Sequence, residues 1–467
     1  GMYYLWLGLG FHGSFKLRPI IDKFKRSTML GIALLAVAII LFFIKKWQYL
    51  SYFLYIGFLT DGYKITINPI LGGLKNMDLA IVYSLIITSV LIITHHYRLR
   101  PSKISTSFWW LCIFIISSFI FSMIYYKISF FEVLQGGRFM LLVLCYPILV
   151  NMSMENVTKL LYLLAWFTVW MAFLDVLQIV FQHPMLPVYA LHKDSALGVI
   201  RFFNYPPFII FYLIVAILDP SFYGKKTKLI ITLFVICILG TLARSLIFIT
   251  GITILLALYF IGKQNSIIKY GLLICLVSLP FLPILSERFG GDTSSDISNV
   301  LTGRVELQSY EQQNDGNFTY RISWVIERVL YLVNRPLEEQ FFGLGLLSDS
   351  SPLSIQMYQF IVNIKFYGSG MIQQLRSPDI AYGTMLAYYG FGGIIIYLCF
   401  LWQLFKEFYR TRHKSPFYIA AAVWILFVFM ISVFSDDLSS PSTFALCFIM
   451  LAYKNKIPSQ KMSITKD

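Results

Sequence analysis

The chain has 467 residues, of which 58% are apolar, 17% aromatic and only 13% charged, with a formal net charge of +15. Soluble domains carry roughly 25% charge, so a soluble globule is excluded, and predominantly apolar runs of about 18 residues or more mark a polytopic membrane protein. The positive charge does not indicate nucleic acid, because it gathers in short breaks between apolar runs: Arg98, Arg100 and Lys103; Lys225, Lys226 and Lys228; Lys406, Arg410, Arg412 and Lys414; Lys454, Lys456, Lys461 and Lys466. That is the pattern of cytoplasmic loops under the positive-inside rule.

Taken in chain order, residues 1–27 carry Lys16, Arg18, Lys23, Lys25 and Arg26 and are expected to form a cytoplasmic segment. Residues 2–13 are short, aromatic and without a basic start, so no cleavable signal peptide is expected. Two apolar runs follow, Leu30–Ile44 and Trp47–Leu59, separated by Lys45-Lys46. Counting both as spans leaves the N-terminus outside, against its own basic residues. Either one of them is not a span or residues 2–13 add one. Runs near 77–96, 107–126, 136–152, 157–181, 202–218, 229–241, 245–262 and 267–285 complete an N-terminal transmembrane bundle over 28–285. The short run 229–241 leads through Leu242-Ala243-Arg244-Ser245 into the next, which predicts a tight helical hairpin with Arg244 at its outer tip.

Residues 286–379 break the apolar pattern. They hold eleven acids and seven bases, and this reversal of sign predicts one large loop on the side opposite the basic breaks. Residues 290–317 are polar and Gly/Asn/Ser-rich, which reads as loop. Apolar residues at 322, 325, 326, 329, 330 and 333 have helical spacing, and Asn334-Arg335-Pro336 ends that helix because the residue before proline disfavours it. Residues 353–375 are semi-apolar and aromatic, as expected in a headgroup layer. The C-terminal helices over 380–453 begin with a long one that Gly390, Gly392 and Gly393 allow to bend or pack closely; residues 454–467 form a cytoplasmic tail. The expected fold class is all-α, with about 12–14 transmembrane helices and one large, partly helical loop.

The six cysteines all lie within apolar runs, so no disulfide framework is expected. None of the six histidines falls in 286–379, and no HExxH, Walker A or GxSxG pattern occurs. No metal and no cofactor are therefore expected. Anion handling falls to arginines, whose planar forks suit phosphates: Arg138, Arg201, Arg244, Arg321 and Arg376 map to the loop side. Each one taken singly also reads as a structural or snorkelling residue. Asp379 reads either as a base or as a helix N-cap, and Tyr320, Trp324 and Tyr382 either as sugar-stacking rings or as headgroup anchors.

Arg321-x-x-Trp324, then Pro336 and Gly343-x-Gly345, resembles the hallmark of the O-antigen polymerase/ligase superfamily, where an Arg-x-x-Trp helix leads to a Pro-to-Gly-x-Gly turn in the large periplasmic loop. Leu337–Phe342 lengthens that interval here. Arg244-Ser245 is similar to the family's Ser-Arg motif in reverse order, and Arg201 to Pro206 to its Arg…Asn-Pro entry into a middle span. The resemblance implies a metal-independent, inverting glycosyltransferase of GT-C type in the bacterial inner membrane, with a periplasmic active face and a cytoplasmic C-terminus. Its partners would be undecaprenyl-pyrophosphate-linked glycan donor and acceptor, membrane lipid and a chain-length regulator protein. Ligases of the superfamily place a His ahead of the Gly-rich helix after the loop; Asp379 stands there instead, which favours a polymerase over a ligase. In that reading Asp379, Arg321 and Arg244 are catalytic, and Arg201, Arg138, Arg376, Tyr320, Trp324 and Tyr382 bind substrate. A lipid-linked sugar flippase, a different class, would place its key charges mid-span.

Overall fold

Hydrocarbon leaves no backbone polar group a water partner, so a chain this apolar pairs its amides internally as helices. The structure, a computed structural model, describes residues 17–64, 75–94, 102–186, 191–193, 200–202, 205–262, 317–348, 351–366, 371–377 and 379–455. The expected span at 267–285, most of the polar stretch 290–317, residues 2–13 and the tail beyond Asn455 lie outside these residues.

In chain order the helices are α1 (Leu17–Phe43), α2 (Gln48–Leu59), α3 (Asn76–Ile93), α4 (Lys103–Ile124), α5 (Phe130–Leu141), α6 (Cys145–Val150), α7 (Met154–Phe181), α8 (Ile209–Leu218), α9 (Thr227–Gly240) and α10 (Arg244–Phe260). They continue with α11 (Asn317–Val333), α12 (Leu337–Phe342), α13 (Pro352–Met357), α14 (Ala381–Thr411), α15 (Pro416–Ile431) and α16 (Pro441–Lys454). The strands among the described residues form two antiparallel ribbons: β1 (Leu191–Lys193) with β2 (Ile200–Phe202), and β3 (Ile364–Phe366) with β4 (Met371–Gln373). Among the described residues, five stretches are long and apolar enough to cross a membrane: Asn76–Ile93, Lys103–Ile124, Phe130–Val150, Met154–Phe181 and Ala381–Lys414. The protein is an all-α, polytopic membrane protein. On α4, Trp109, Trp110, Ile113, Ile116, Ile120 and Ile124 are all exposed, a stripe that only lipid would cover without cost.

The chain divides into two compact units. The first holds α1–α3 and α6–α9. Leu30–Phe43 and Lys45–Leu59 bend by 119° across a single 3-10 turn, and α1 packs on α2. Ser51 Oγ donates to Ala38 O at 2.5 Å and sits 2.6 Å from Tyr83 Oη. The two apolar runs flanking Lys45-Lys46 are thus one bent pair, a broken span or a re-entrant loop, and not two independent straight spans. The run at 202–218 becomes helical only from Ile209, because Pro206 and Pro207 offer no N–H and disfavour helix before them; Ile200–Phe202 is strand instead.

The second unit holds α4, α5, α10–α15 and most of α16. Its centre is α14, which packs against α4, α11, α12 and α15. Helix α9 lies on α7 and α8 in the first unit and α10 lies on α15 in the second, so the turn expected at Arg244 falls where the chain passes from one unit to the other.

Candidate functional site at the start of α14

Two glycines position the site. Gly343 ends α12 at φ +85°, and Gly390 interrupts α14 at φ +61°. Both conformations favour glycine, and the two backbones touch. A Cβ on Gly343 would lie 2.6 Å from Gly390 N, and one on Gly390 would lie 2.5 Å from Gln340 O. Leu344 N–H donates to Ala387 O at 2.7 Å across the junction. Gly345, at φ +92°, backs onto the Tyr126 ring, and Tyr126 Oη donates to Gly343 O at 3.0 Å. The Gly-x-Gly pattern therefore marks a backbone crossing that pins α12 to α14.

Helix α11 carries the next layer. Pro336 ends it as its sequence predicts, but the face turned inward is not the apolar one. Tyr320, Ser323, Trp324, Glu327, Arg328 and Leu332 are buried, while Ile326, Leu330 and Val333 are 36%, 54% and 55% exposed. The inner face meets backbone groups of Ile361, Val362 and Gln374, so it needs donors and acceptors. Arg328 Nη2 donates to Val362 O and Gln374 O, both at 2.7 Å, and Nη1 donates to Glu327 Oε2 at 2.8 Å. Glu327 in turn accepts from the amides of Ile361 (2.7 Å) and Val362 (3.0 Å). The guanidinium lies 3.6 Å from the Trp324 ring centroid and 4.2 Å from that of Phe360. Burial pulls its pKa down to about 9 against the opposing pull of Glu327, so it stays charged at neutral pH.

Tyr320 and Trp324 form a core cluster with Val362 and Ile380. Trp324 fits only because residue 383 is glycine, where a Cβ would sit 2.6 Å from its ring. Both rings are fully buried, and in this structure their faces are occupied by protein. Tyr382 packs at the edge of this cluster and donates to Phe429 O at 2.9 Å.

Arg321 stands beside this core and reaches Asp379 at 3.8 Å, with side-chain exposures of 17% and 37%. Its guanidinium also lies 5.6 Å from the Phe434 ring centroid. Asp379 is not the helix cap. The N-cap position is Ile380, without a side-chain cap, and Ala381 N–H donates instead to Ser432 O (3.2 Å) and Ser435 O (2.9 Å). The loop between α15 and α16 thus closes the N-terminus of α14 and leaves the Asp379 carboxylate for other use. From that loop Asp436 accepts from Arg376 Nη2 at 3.2 Å. Burial raises the Asp379 carboxyl above the usual range, Arg321 opposes this, and Asp436 adds to it. The structure therefore gathers Arg321, Arg376, Asp379 and Asp436 into one group of two guanidinia and two carboxylates.

The other candidate arginines are placed differently. Arg201 is in the first unit and donates to Thr241 O (3.3 Å) and Leu242 O (3.2 Å), serving carbonyls beyond the end of α9. Arg138 lies in the last turn of α5, and Arg244 is the first residue of α10. Two features escaped the sequence reading. Asp436 could have been found from its place just beyond the apolar stretch that forms α15. Asp175, fully buried in α7, accepts from Gln178 Nε2 (2.5 Å) and Cys237 Sγ (3.0 Å); an acid inside an apolar run is its signal.

No protein-family model matches the chain, and no curated protein matches it.

Proposed function

We propose that the protein is a polysaccharide polymerase of the O-antigen polymerase/ligase type, joining undecaprenyl-pyrophosphate-linked repeat units by metal-independent, inverting glycosyl transfer. The observation that carries this reading is the Arg321–Asp379 pair at 3.8 Å, beside Arg376 and Asp436 and left uncommitted by helix capping. The proposed setting is the bacterial inner membrane, with about 12–14 spans, the 286–379 loop and the start of α14 periplasmic, and the C-terminus cytoplasmic.

Asp379, with its raised pKa, accepts the proton of the acceptor-sugar hydroxyl as that oxygen forms its bond to the donor's anomeric carbon. The anomeric carbon–oxygen bond to phosphate breaks on the opposite face, and its electron pair leaves on the lipid pyrophosphate. Arg321 and Arg376, with Arg244 as a further candidate, stabilise that growing charge. Displacement from the opposite face inverts the anomeric centre.

The test is glycan laddering in a strain lacking its own polymerase, complemented with wild type, Arg321→Ala, Arg244→Ala or Asp379→Asn at matched expression. Wild-type ladders that vanish in Arg321→Ala and Asp379→Asn are expected. Transfer of preformed polymer without laddering makes the protein a ligase. A second reading, a lipid-linked sugar flippase, draws on Asp175, since buried intramembrane acids often serve transport. Lipid-linked sugar moving across the membrane with no ladder, and loss of that movement in Asp175→Asn, decides for it.

A further inference from the structure

Helix α11 is amphipathic the wrong way round for a free loop. Its polar and aromatic side is inside, and Ile326, Leu330 and Val333 look outward; Leu337 and Phe341 of α12 extend the same apolar surface at 77% and 47% exposure. An unpartnered apolar strip of this kind is unfavourable in water.

Its level against the spanning helices identifies what covers it. Gly390 divides α14, and the part beyond it, residues 391–411, is about 32 Å long at 1.5 Å per residue, matching a hydrocarbon core of about 30 Å. The α12 crossing at Gly390 therefore lies at the boundary of the hydrocarbon, the layer that interfacial amphipathic helices occupy. The same level follows from α4, where Phe342 stacks on Phe121 and Phe114 with centroids 4.9 and 5.6 Å apart. The polar residues of the α11–α12 turn lie higher: Glu339 accepts from Arg335 Nε at 2.7 Å and from Tyr125 Oη at 3.0 Å, beside the end of α4.

We propose that α11 and α12 form a wedge seated in the bilayer leaflet on the side of the α14 N-terminus, with Ile326, Leu330, Val333, Leu337 and Phe341 covered by lipid acyl chains. The α11–α12 part of the loop is then seated in the surface of the membrane on that side, not free in the aqueous phase. A substrate whose phosphate is tied to a membrane lipid reaches the guanidinia of Arg321 and Arg376 from within the bilayer plane. The docking itself does not depend on the glycosyltransferase reading.

The experiment uses the full chain in phosphatidylethanolamine/phosphatidylglycerol nanodiscs, with a benzophenone amino acid placed singly at Leu330, Leu337 or, as control, Glu338. Illumination is expected to add the mass of one phospholipid at positions 330 and 337 and at least fivefold less at 338. Cross-links to a second copy or another protein, or water-like reactivity equal to that at 338, overturn the proposal. Nitroxides at Ile326 and Val333 give an independent readout that requires no cross-link: high collision with oxygen and low collision with a water-soluble nickel chelate are expected, and the reverse overturns it. Glycan laddering is scored separately, so failure of the wedge and failure of the polymerase reading are told apart.

Discussion

Replacing Arg328 by Met should destabilise the second unit by about 3–4 kcal/mol, because Met retains the packing volume against Trp324 and Phe360 but none of the donors. The two carbonyls bonded at 2.7 Å, Val362 O and Gln374 O, lose a buried partner, and each such loss costs roughly 1–3 kcal/mol. Removing one member of a buried ion pair costs about 3–5 kcal/mol when the other charge is stranded. Glu327 is only partly stranded, since it still accepts from Ile361 N and Val362 N, which holds the sum toward the lower figure. The loss should be local first: residues 358–375 should become protease-sensitive while the rest of the chain stays resistant. The double variant Glu327→Gln/Arg328→Met removes the stranded charge and should recover part of the loss. Denaturation and limited proteolysis in nanodiscs read both effects. A single variant with wild-type stability and an unchanged cleavage pattern would refute the reasoning, because it would mean that this brace does not hold the segment leading to Arg376 and Asp379.

Asp379→Asn should abolish laddering without loss of stability. The folded carboxyl has a raised pKa, so the fold favours the protonated form; that contribution is present below the unfolded pKa and lost as pH rises through the folded one. At neutral pH the ionised group is a net cost, which Asn removes, and a lowered melting temperature would count against this sign. Wild-type activity should fall on the acid side at a pH above the ordinary carboxylate range. Asp436→Asn should move that acid limb to lower pH, because a neighbouring negative charge is removed; an unmoved limb in a rate–pH profile would separate Asp436 from the site. Gly390→Ala should yield little folded protein, since its Cβ would meet Gln340 O at 2.5 Å in a left-handed conformation; normal yield in detergent gel filtration would contradict the crossing.

The membrane class and most helices were legible because apolar run length is a one-dimensional signal. Helix α11, its end at Pro336 and the bend in α14 were readable for the same local reasons. Burial on α11 was not, because apolar periodicity locates a stripe but does not say whether protein or lipid covers it. Trp324 and Arg321 occupy one motif three residues apart, yet only tertiary packing separates a core ring from a site cation. Asp436 was passed over because its meaning depends on Arg376, sixty residues earlier. The Asp379 alternatives likewise turned on a fact outside the local sequence, the capping of α14 by Ser432 and Ser435.

The four charged groups come from three stretches far apart in sequence: α11, the linker before α14, and the loop between α15 and α16. An exposed ion pair contributes at most about 1 kcal/mol, so pairs with side chains a third exposed, such as Arg376–Asp436, do not assemble the site. The assembly comes from neighbouring backbone contacts. Ala381 N–H binds the α15–α16 loop to the start of α14, Arg328 binds residues 362 and 374 to α11, and the glycine crossing binds α12 to α14. These constraints are buried or backbone-to-backbone, and in the proposed reaction they would not change as a pyrophosphate displaced a carboxylate from a guanidinium. The charges can therefore exchange partners with substrate while their carriers stay fixed, which is the arrangement that charge stabilisation without reorganisation requires.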